Sequence, residues 1–294
     1  MYSSGVIPSA SFAFAPPGGS RDGDSGLAEG LEVAVMAGAD QGSVHLEVAL
    51  SRLAPGGTIS GHHHFYEESF YLLSGEVLVD IDGHRYHLQE NDYGVALSGV
   101  PHAWHNVGNE PAEWFRMRSP QPRSTGERMG TYPADEVAVP DDGVLIGDPD
   151  PRVRHVGHFA EHHLPAPGPL AMRGYRGPNV DSVALWMLVD DLIGALHHTM
   201  FMVQFIPAAS THPGGDHFHP FEEAYYFLTG SAIAHLDGGD LEVNAGDLVF
   251  AGTNAKHGYT MTSDTPVRWI EVQAPGPTPA GAFIFPGDWE PLDG

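Results

Sequence analysis

Two short runs in this chain have the residue types and spacing to hold a divalent metal ion. His62-His63-His64 is followed by Glu67-Glu68, and His217-Phe218-His219 is followed by Glu222-Glu223. Side chains on a strand alternate between its two faces, so His62 and His64 share a face, as do His217 and His219. Glu68 and Glu223 each lie four residues beyond the second histidine, and a bend or hairpin returns such a carboxylate to the pair. His102 and His257 are farther along the chain but arrive on a neighbouring strand if each sheet closes into a barrel. Three neutral imidazoles and one carboxylate suit a first-row divalent ion and leave positions open for a substrate, water or O2.

The two runs are parts of one repeat at an offset of 155 residues. The alignment holds without a gap from His62 and His217 through Gly75 and Gly230, then Asp92 and Asp247, then His102 and His257, to Trp114 and Trp269. Four ligand-type residues recurring at matched spacing make coincidence a poor explanation, even in a chain with 19 histidines. The repeat puts Phe218 opposite His63, which favours His62 and His64 as the ligands. Glu67 has a counterpart in Glu222, so the repeat alone does not choose between the two glutamates of each pair. The glutamate that is not a ligand can accept a ligand imidazole's N–H from behind.

The elements that must position these groups read as strands. Ser69–Leu73 and Ala224–Leu228 are aromatic-rich runs ended by a small residue and glycine. Val77–Ile81 and Ala232–Leu236 each end in Asp-Gly, a hairpin signal. Tyr86–Leu88 and Leu241–Val243 follow, then Tyr93–Leu97 and Leu248–Ala251, then Trp114–Arg118 and Arg268–Val272. Short strands at this spacing imply an all-β fold of closed barrels or sandwiches. Two copies make two domains: an N-terminal arm over residues 1–28, a first barrel over 29–125, a linker over 126–180 and a second barrel over 181–294. Val183–Val189 is expected to open the second unit, and the Ser-, Gly- and Pro-rich arm to lie over a sheet edge.

Composition narrows the chemistry. The 294 residues carry 38 acidic and 13 basic side chains and a net charge of −25, which opposes nucleic acid or an anionic membrane as partner. Lys256 is the only lysine, and no Gly-x-x-x-x-Gly-Lys loop or Gly-x-Ser-x-Gly elbow occurs. With no cysteine, disulfides, thiolate nucleophiles, Fe–S clusters and Cys-type zinc sites are excluded. The first residues lack a basic segment, and no run approaches the length of a membrane helix, so a soluble cytoplasmic protein is expected. Its partner is expected to be a small-molecule substrate, with homodimerisation through a barrel edge as a further expectation.

These motifs resemble those of the cupin superfamily, whose first motif runs Gly-x5-His-x-His-x3,4-Glu-x6-Gly. Gly56, His62, His64, Glu68 and Gly75 fit it fully; His217, His219, Glu223 and Gly230 fit it with Thr211 in place of the first glycine. The second motif, Gly-x5-Pro-x-Gly-x2-His-x3-Asn, is met more loosely. Gly99, His102 and Asn106 match in the first copy, with Asn91 and Leu97 replacing the other two; Gly246 and His257 match in the second, with Gly252, Asn254 and Met261 as replacements. The departures touch turn residues, not ligands. The resemblance implies a bicupin of two double-stranded β-helix, or jelly-roll, barrels. It also implies Glu68 and Glu223 as the carboxylate ligands.

A pocket reading follows. Trp114, Arg116 and Arg118 alternate onto one face, so the two arginines face an anionic substrate if that face points inward. Trp269, Glu271 and Gln273 stand at the same positions of the second copy. Trp104, His105, Tyr66 and Phe70 surround the first-copy ligands as an aromatic wall or as core. The leading expectation is a dioxygenase acting on a small enolisable or phenolic compound, with up to two ions per chain. Fe(II) leads, with Mn(II), Ni(II), Cu(II) and Zn(II) as alternatives. The rivals are a non-oxidative cupin enzyme (a Mn-dependent aminohydrolase, decarboxylase or isomerase) and a non-catalytic binding module.

Overall fold

Runs of alternating and continuous apolar residues, punctuated by Gly, Pro and Asp, make nearly every element of this chain a strand. The computed structural model describes residues 4–17, 26–123, 130–134, 137, 144–145, 156–166, 175–176, 183–206, 214–276 and 290–291. Thr211 and most of the 126–180 linker lie outside the described residues. The first half runs β1 (Ser4–Ile7), β2 (Ala28–Ala37), β3 (Glu47–His64), β4 (Glu67–Ser74), β5 (Glu76–Ile81), β6 (His84–Gln89), β7 (Asp92–Ala96), β8 (His102–His105) and β9 (Ala112–Ser119). Short pieces follow: β10 (Thr131–Pro133), β11 (Val144–Leu145), β12 (Val156–His158) and β13 (Tyr175–Arg176). The second half runs β14 (Val183–Val189), β15 (Thr199–Phe205), β16 (Gly214–His217), β17 (Glu222–Thr229), β18 (Ser231–Leu236), β19 (Gly239–Asn244), β20 (Leu248–Ala251), β21 (His257–Met261), β22 (Val267–Ala274) and β23 (Glu290–Pro291). Helix among the described residues is limited to three-residue turns such as Ala39–Gln41 and Asp191–Ile193.

The first barrel is one curled sheet in the order β11-β6-β5-β8-β3-β9-β4-β7-β12, with β2 and β10 also on β3. The second divides into β1-β20-β17-β22-β15-β14 and β16-β21-β18-β19. Corresponding strands pair alike: β4 with β7 and β9, β17 with β20 and β22. Thus the fold is all-β, with two tandem barrels. The looser second motif keeps its turns, because Asn and Gly exchange places where the backbone needs positive φ. Asn91 (φ 71) corresponds to Gly246 (φ 92), and Gly99 (φ 78) to Asn254 (φ 59), and asparagine is the side chain that tolerates this region best.

Three apolar clusters follow from strand alternation. Leu72, Val79, Trp104 and Trp114 fill the first barrel; Phe227, Val249, Tyr259 and Trp269 fill the second. The opposite faces of the same strands meet in a third cluster, where Phe115 and Met117 pack with Tyr226, Ile270 and Val272. Phe115 stacks on Tyr226 with ring centroids 5.6 Å apart. Each barrel is thereby buried on both faces of its central sheet. The arm ties the two together: β1 pairs antiparallel with β20 of the second barrel, while Ala15 bridges to Val33 on β2 of the first.

Candidate metal centres

The long strand β3 delivers His62 and His64 at its end, a two-residue turn follows, and β4 starts at Glu67. β8 pairs with β3 so that His102 lies directly opposite His62, and in the second barrel β21 puts His257 opposite His217. The ring separations in the first barrel are 4.1 Å for His62–His102, 4.7 Å for His64–His102 and 5.8 Å for His62–His64. The second barrel repeats them: 4.4 Å for His217–His257, 4.9 Å for His219–His257 and 5.5 Å for His217–His219. Two groups could hold a metal ion, His62, His64 and His102 in one and His217, His219, Glu223 and His257 in the other. Within each, the ligand-type atoms all lie within 4.8 Å of one another.

Backbone carbonyls set the tautomers. Nδ1 of His62, His64 and His102 bonds to the carbonyls of Ser60, Tyr66 and Val100 at 2.8, 2.7 and 2.9 Å. His219 and His257 do the same with Phe221 and Ala255 at 3.0 and 2.9 Å. A carbonyl only accepts, so each of these Nδ1 atoms carries a proton, which turns Nε2 of His62, His64 and His102 toward one another and Nε2 of His219 and His257 toward Glu223. Burial, with His102, His62 and Arg118 nearby, holds the His64 pKa well below its ordinary value, and its Nε2 is buried with no hydrogen bond. A buried lone pair of this kind, aimed at two more, fits a metal ion.

The fourth donor distinguishes the centres. Glu223 Oε2 is 2.8 Å from His219 Nε2 and 2.9 Å from His257 Nε2. Burial opposes its ionisation, yet these histidines hold its carboxyl well below the usual carboxylate range. Tyr225 Oη donates to Glu223, and Gln273 Nε2 donates to its other oxygen at 2.8 Å. Glu271, buried beside this carboxylate, is pushed well above the usual range by burial and by the charge on Glu223; it accepts from Trp269 Nε1 at 3.1 Å. Glu68 stands apart from its cluster. Its Oε2 is 2.5 Å from Arg118 Nε, 4.0 Å from Arg116 Nε and 4.0 Å from His64 Nε2.

The other expected residues sort by burial. Arg116 and Arg118 are both buried on the inward face of β9. Tyr66 stacks on His64 at 4.1 Å and sits 5.2 Å below the Arg118 guanidinium. Trp104 stacks flat on Trp114 within the barrel core, whereas His105 is exposed. Glu67 and Glu222 do not back a ligand imidazole. Glu222 accepts from Ser43 Oγ and the amides of Val44 and His45 at 2.7–2.9 Å. Glu67 accepts from the amides of Leu196 and His197 at 2.7 and 3.0 Å and faces His198 Nδ1 at 3.1 Å. Each therefore grips a loop of the opposite barrel. Sequence reading passed over Tyr225, although its place two residues beyond Glu223 on one strand puts it on the same face.

Tandem β-barrels packed face to face, each with histidines converging at the mouth of a buried core, define a class of proteins whose centres could bind metal. The family model described as "Cupin domain" matches this chain twice, over residues 49–117 and 201–273. Polyketide synthase CurC of Streptomyces cyaneus is 31% identical over 110 residues, which is 37% of this chain and 67% of that protein. The chain belongs to the cupin family and, carrying two cupin domains, is a bicupin. Quercetin 2,3-dioxygenase of Bacillus subtilis (strain 168) is 25% identical over 238 residues, covering 73% of this chain and 68% of that enzyme. Among solved structures, the oxalate decarboxylase of Lactobacillus farciminis in complex with formate has a TM-score of 0.63 at 15% identity. That likeness, one of fold, covers 95% of this chain and 88% of that one. No helix among the described residues is long and apolar enough to cross a membrane.

Proposed function

We propose that this bicupin is a metal-dependent dioxygenase acting on a small enolisable or phenolic compound, with the second barrel as its reaction centre and Fe(II) as its ion. The observation that carries this reading is the complete donor set of His217, His219, Glu223 and His257 within one 4.8 Å group. Similarity to a quercetin dioxygenase over most of the chain supports the same reaction class. A bound divalent ion supplies Lewis acidity toward an enolate or phenolate oxygen and, if redox-active, a path for electrons to O2.

The protein groups then have separate tasks. His219 and His257 are turned toward the site because each Nδ1 donates to a backbone carbonyl. Glu223 contributes the one negative charge, and Tyr225 orients that carboxylate by donating to it. Glu271, buried beside Glu223 and bonded to Trp269 and Gln273, is the local group placed to exchange a proton. Tyr225 reaches the site, and Tyr259, Phe227 and Trp269 pack behind it as buried aromatic core that excludes water.

The test is O2 uptake by anaerobically Fe(II)-loaded protein against a panel of phenols and diketones. Uptake in step with substrate loss, abolished in His219→Ala, is expected; turnover that persists without O2 overturns the proposal. A second reading, non-oxidative Lewis-acid chemistry on a carboxylate substrate in the first barrel, is favoured by the inward-facing Arg116 and Arg118. Full activity with a redox-silent metal would select it.

A further inference from the structure

The two barrels steady their cluster carboxylates from opposite faces of the strand. Glu223 is the second residue of β17, and inside its barrel Tyr225 and Gln273 donate to it. Glu68 is the second residue of β4, but the residue two places on is Phe70, which has no hydroxyl to offer. On the outer face the order is reversed. Glu67 and Ser69, the neighbours of Glu68 on either side, both turn to one side chain of the second barrel, His198. His198 Nε2 is hydrogen-bonded with Ser69 Oγ, and its Nδ1 faces Glu67 Oε2 at 3.1 Å. All three side chains are buried. A ring with its proton on Nδ1 suits both neighbours, since the carboxylate only accepts and the hydroxyl donates to Nε2. In the second barrel Ala224 stands where Ser69 does, and Ser43, one repeat length before His198, bonds Glu222 on one flank of Glu223 only.

We propose that His198 is a positioning residue for the first metal centre, a side chain of one barrel that fixes the carboxylate Glu68 of the other. The turn Phe65-Tyr66 directly precedes β4, and the first residues of a strand are those that open most readily. Backbone pairing places Glu68 opposite Ala96 and Arg118. The His198 clamp adds side-chain anchors one residue to each side, and the amides of Leu196 and His197 complete it on Glu67. Period two directs Glu68 inward while its neighbours point out, so a clamp on the neighbours acts on Glu68 through the backbone and takes up no ligand position. Glu68 is thereby kept within reach of both its partners, 4.0 Å from His64 Nε2 and 2.5 Å from Arg118 Nε. A group that orients a ligand without touching the ion is commonly worth about 10- to 100-fold in affinity. The inference goes beyond the reaction centre proposed in the second barrel, and it rests on the first cluster taking up a divalent ion with Glu68 as its carboxylate.

Co(II) is the probe, added to the full chain in a His217→Ala/His219→Ala background so that only the first cluster takes it up. His198→Ala lowers Co(II) affinity about tenfold and gives cobalt's visible spectrum the shape it has in Glu68→Gln. Ser69→Ala, which installs the second barrel's residue, lowers affinity in the same direction by less, and it decides the matter alone if His198→Ala does not fold. In a Glu68→Gln background neither change has a further effect, because the residue through which they act is gone. In a His62→Ala/His64→Ala background the second centre binds Co(II) as tightly with His198→Ala as without it. Unchanged affinity and spectrum in both variants overturn the proposal. So do losses that persist in Glu68→Gln or that appear equally at the second centre, since these mark a merely structural role. Undiminished Co(II) binding by Glu68→Gln overturns the reading of Glu68 as a ligand, and a first cluster that takes up no Co(II) overturns the metal reading; the positioning role falls with either.

Discussion

At the scale of single residues, the two centres share a rule for presenting nitrogen. A carbonyl two residues away along the same chain, at Ser60, Tyr66, Val100, Phe221 or Ala255, holds each Nδ1 proton and turns Nε2 inward. The donor nitrogens are thus oriented by backbone geometry before any ion arrives. Protein purified without oxygen is expected to hold about two metal ions per chain, with His62→Ala and His217→Ala each losing one, by elemental analysis. Tyr225→Phe removes a donor to Glu223 and leaves the ring in place. Metal affinity at the second centre should fall about 10- to 100-fold, the usual effect of losing a group that orients a ligand, while thermal stability changes little. Isothermal titration with Co(II) in a His62→Ala/His64→Ala background checks this.

At the scale of elements, the ligands are held by strands whose turns tolerate little change. Gly75 separates β4 from β5 at φ 80, and a Cβ added there would meet Ala112 Cα at 2.7 Å and the Pro111 carbonyl at 2.9 Å. Both contacts are backbone, so neither can rotate away. Gly75→Ala should cost about 2 kcal/mol or more, combining left-handed strain with the clash. Gly56 has φ 73 but nothing within 4 Å of its added Cβ, so Gly56→Ala bears strain alone, about 1 kcal/mol. Denaturant unfolding of the two variants separates the terms. The strand positions were legible in the sequence, because apolar runs, Asp-Gly turns and the repeat all agree on them. The length of β3 was not: its 18 residues include Pro55, Gly56 and Gly57, which read locally as a break.

At the scale of the whole molecule, the paired glutamates join the barrels. Glu67 and Glu222 occupy the same repeat position, and each accepts backbone amides from a loop of the other barrel. Burial works against ionised Glu67, but His198 and the Leu196 and His197 amides outweigh it and hold its pKa below the ordinary value. Glu222→Ala removes acceptors from several buried donors at once and should destabilise the protein by about 3 kcal/mol or more. Phe115→Ala, which empties part of the apolar cluster between the barrels, should cost about 3–5 kcal/mol. Because both act on the junction, either variant should split one denaturation transition into two, followed by tryptophan fluorescence and circular dichroism.

The sequence by itself determined which residue types recur and where along the chain. The matched histidines, the alternation of Trp114, Arg116 and Arg118 onto one face, and the all-β architecture follow from spacing and period two. What only the tertiary structure decided is how the two glutamates of each pair divide their work, and that Glu68 and Glu223 behave differently. Adjacent strand residues point to opposite faces, so Glu68 and Glu223 turn into the barrels while Glu67 and Glu222 turn toward the neighbouring one. Whether a buried carboxylate stays with imidazoles or leaves for a guanidinium depends on which strand lies beside it. Placing Arg118 opposite Glu68, where the second barrel puts Gln273 opposite Glu223, is the work of β9 and β22. Nothing within one strand's own sequence records its neighbour's charge.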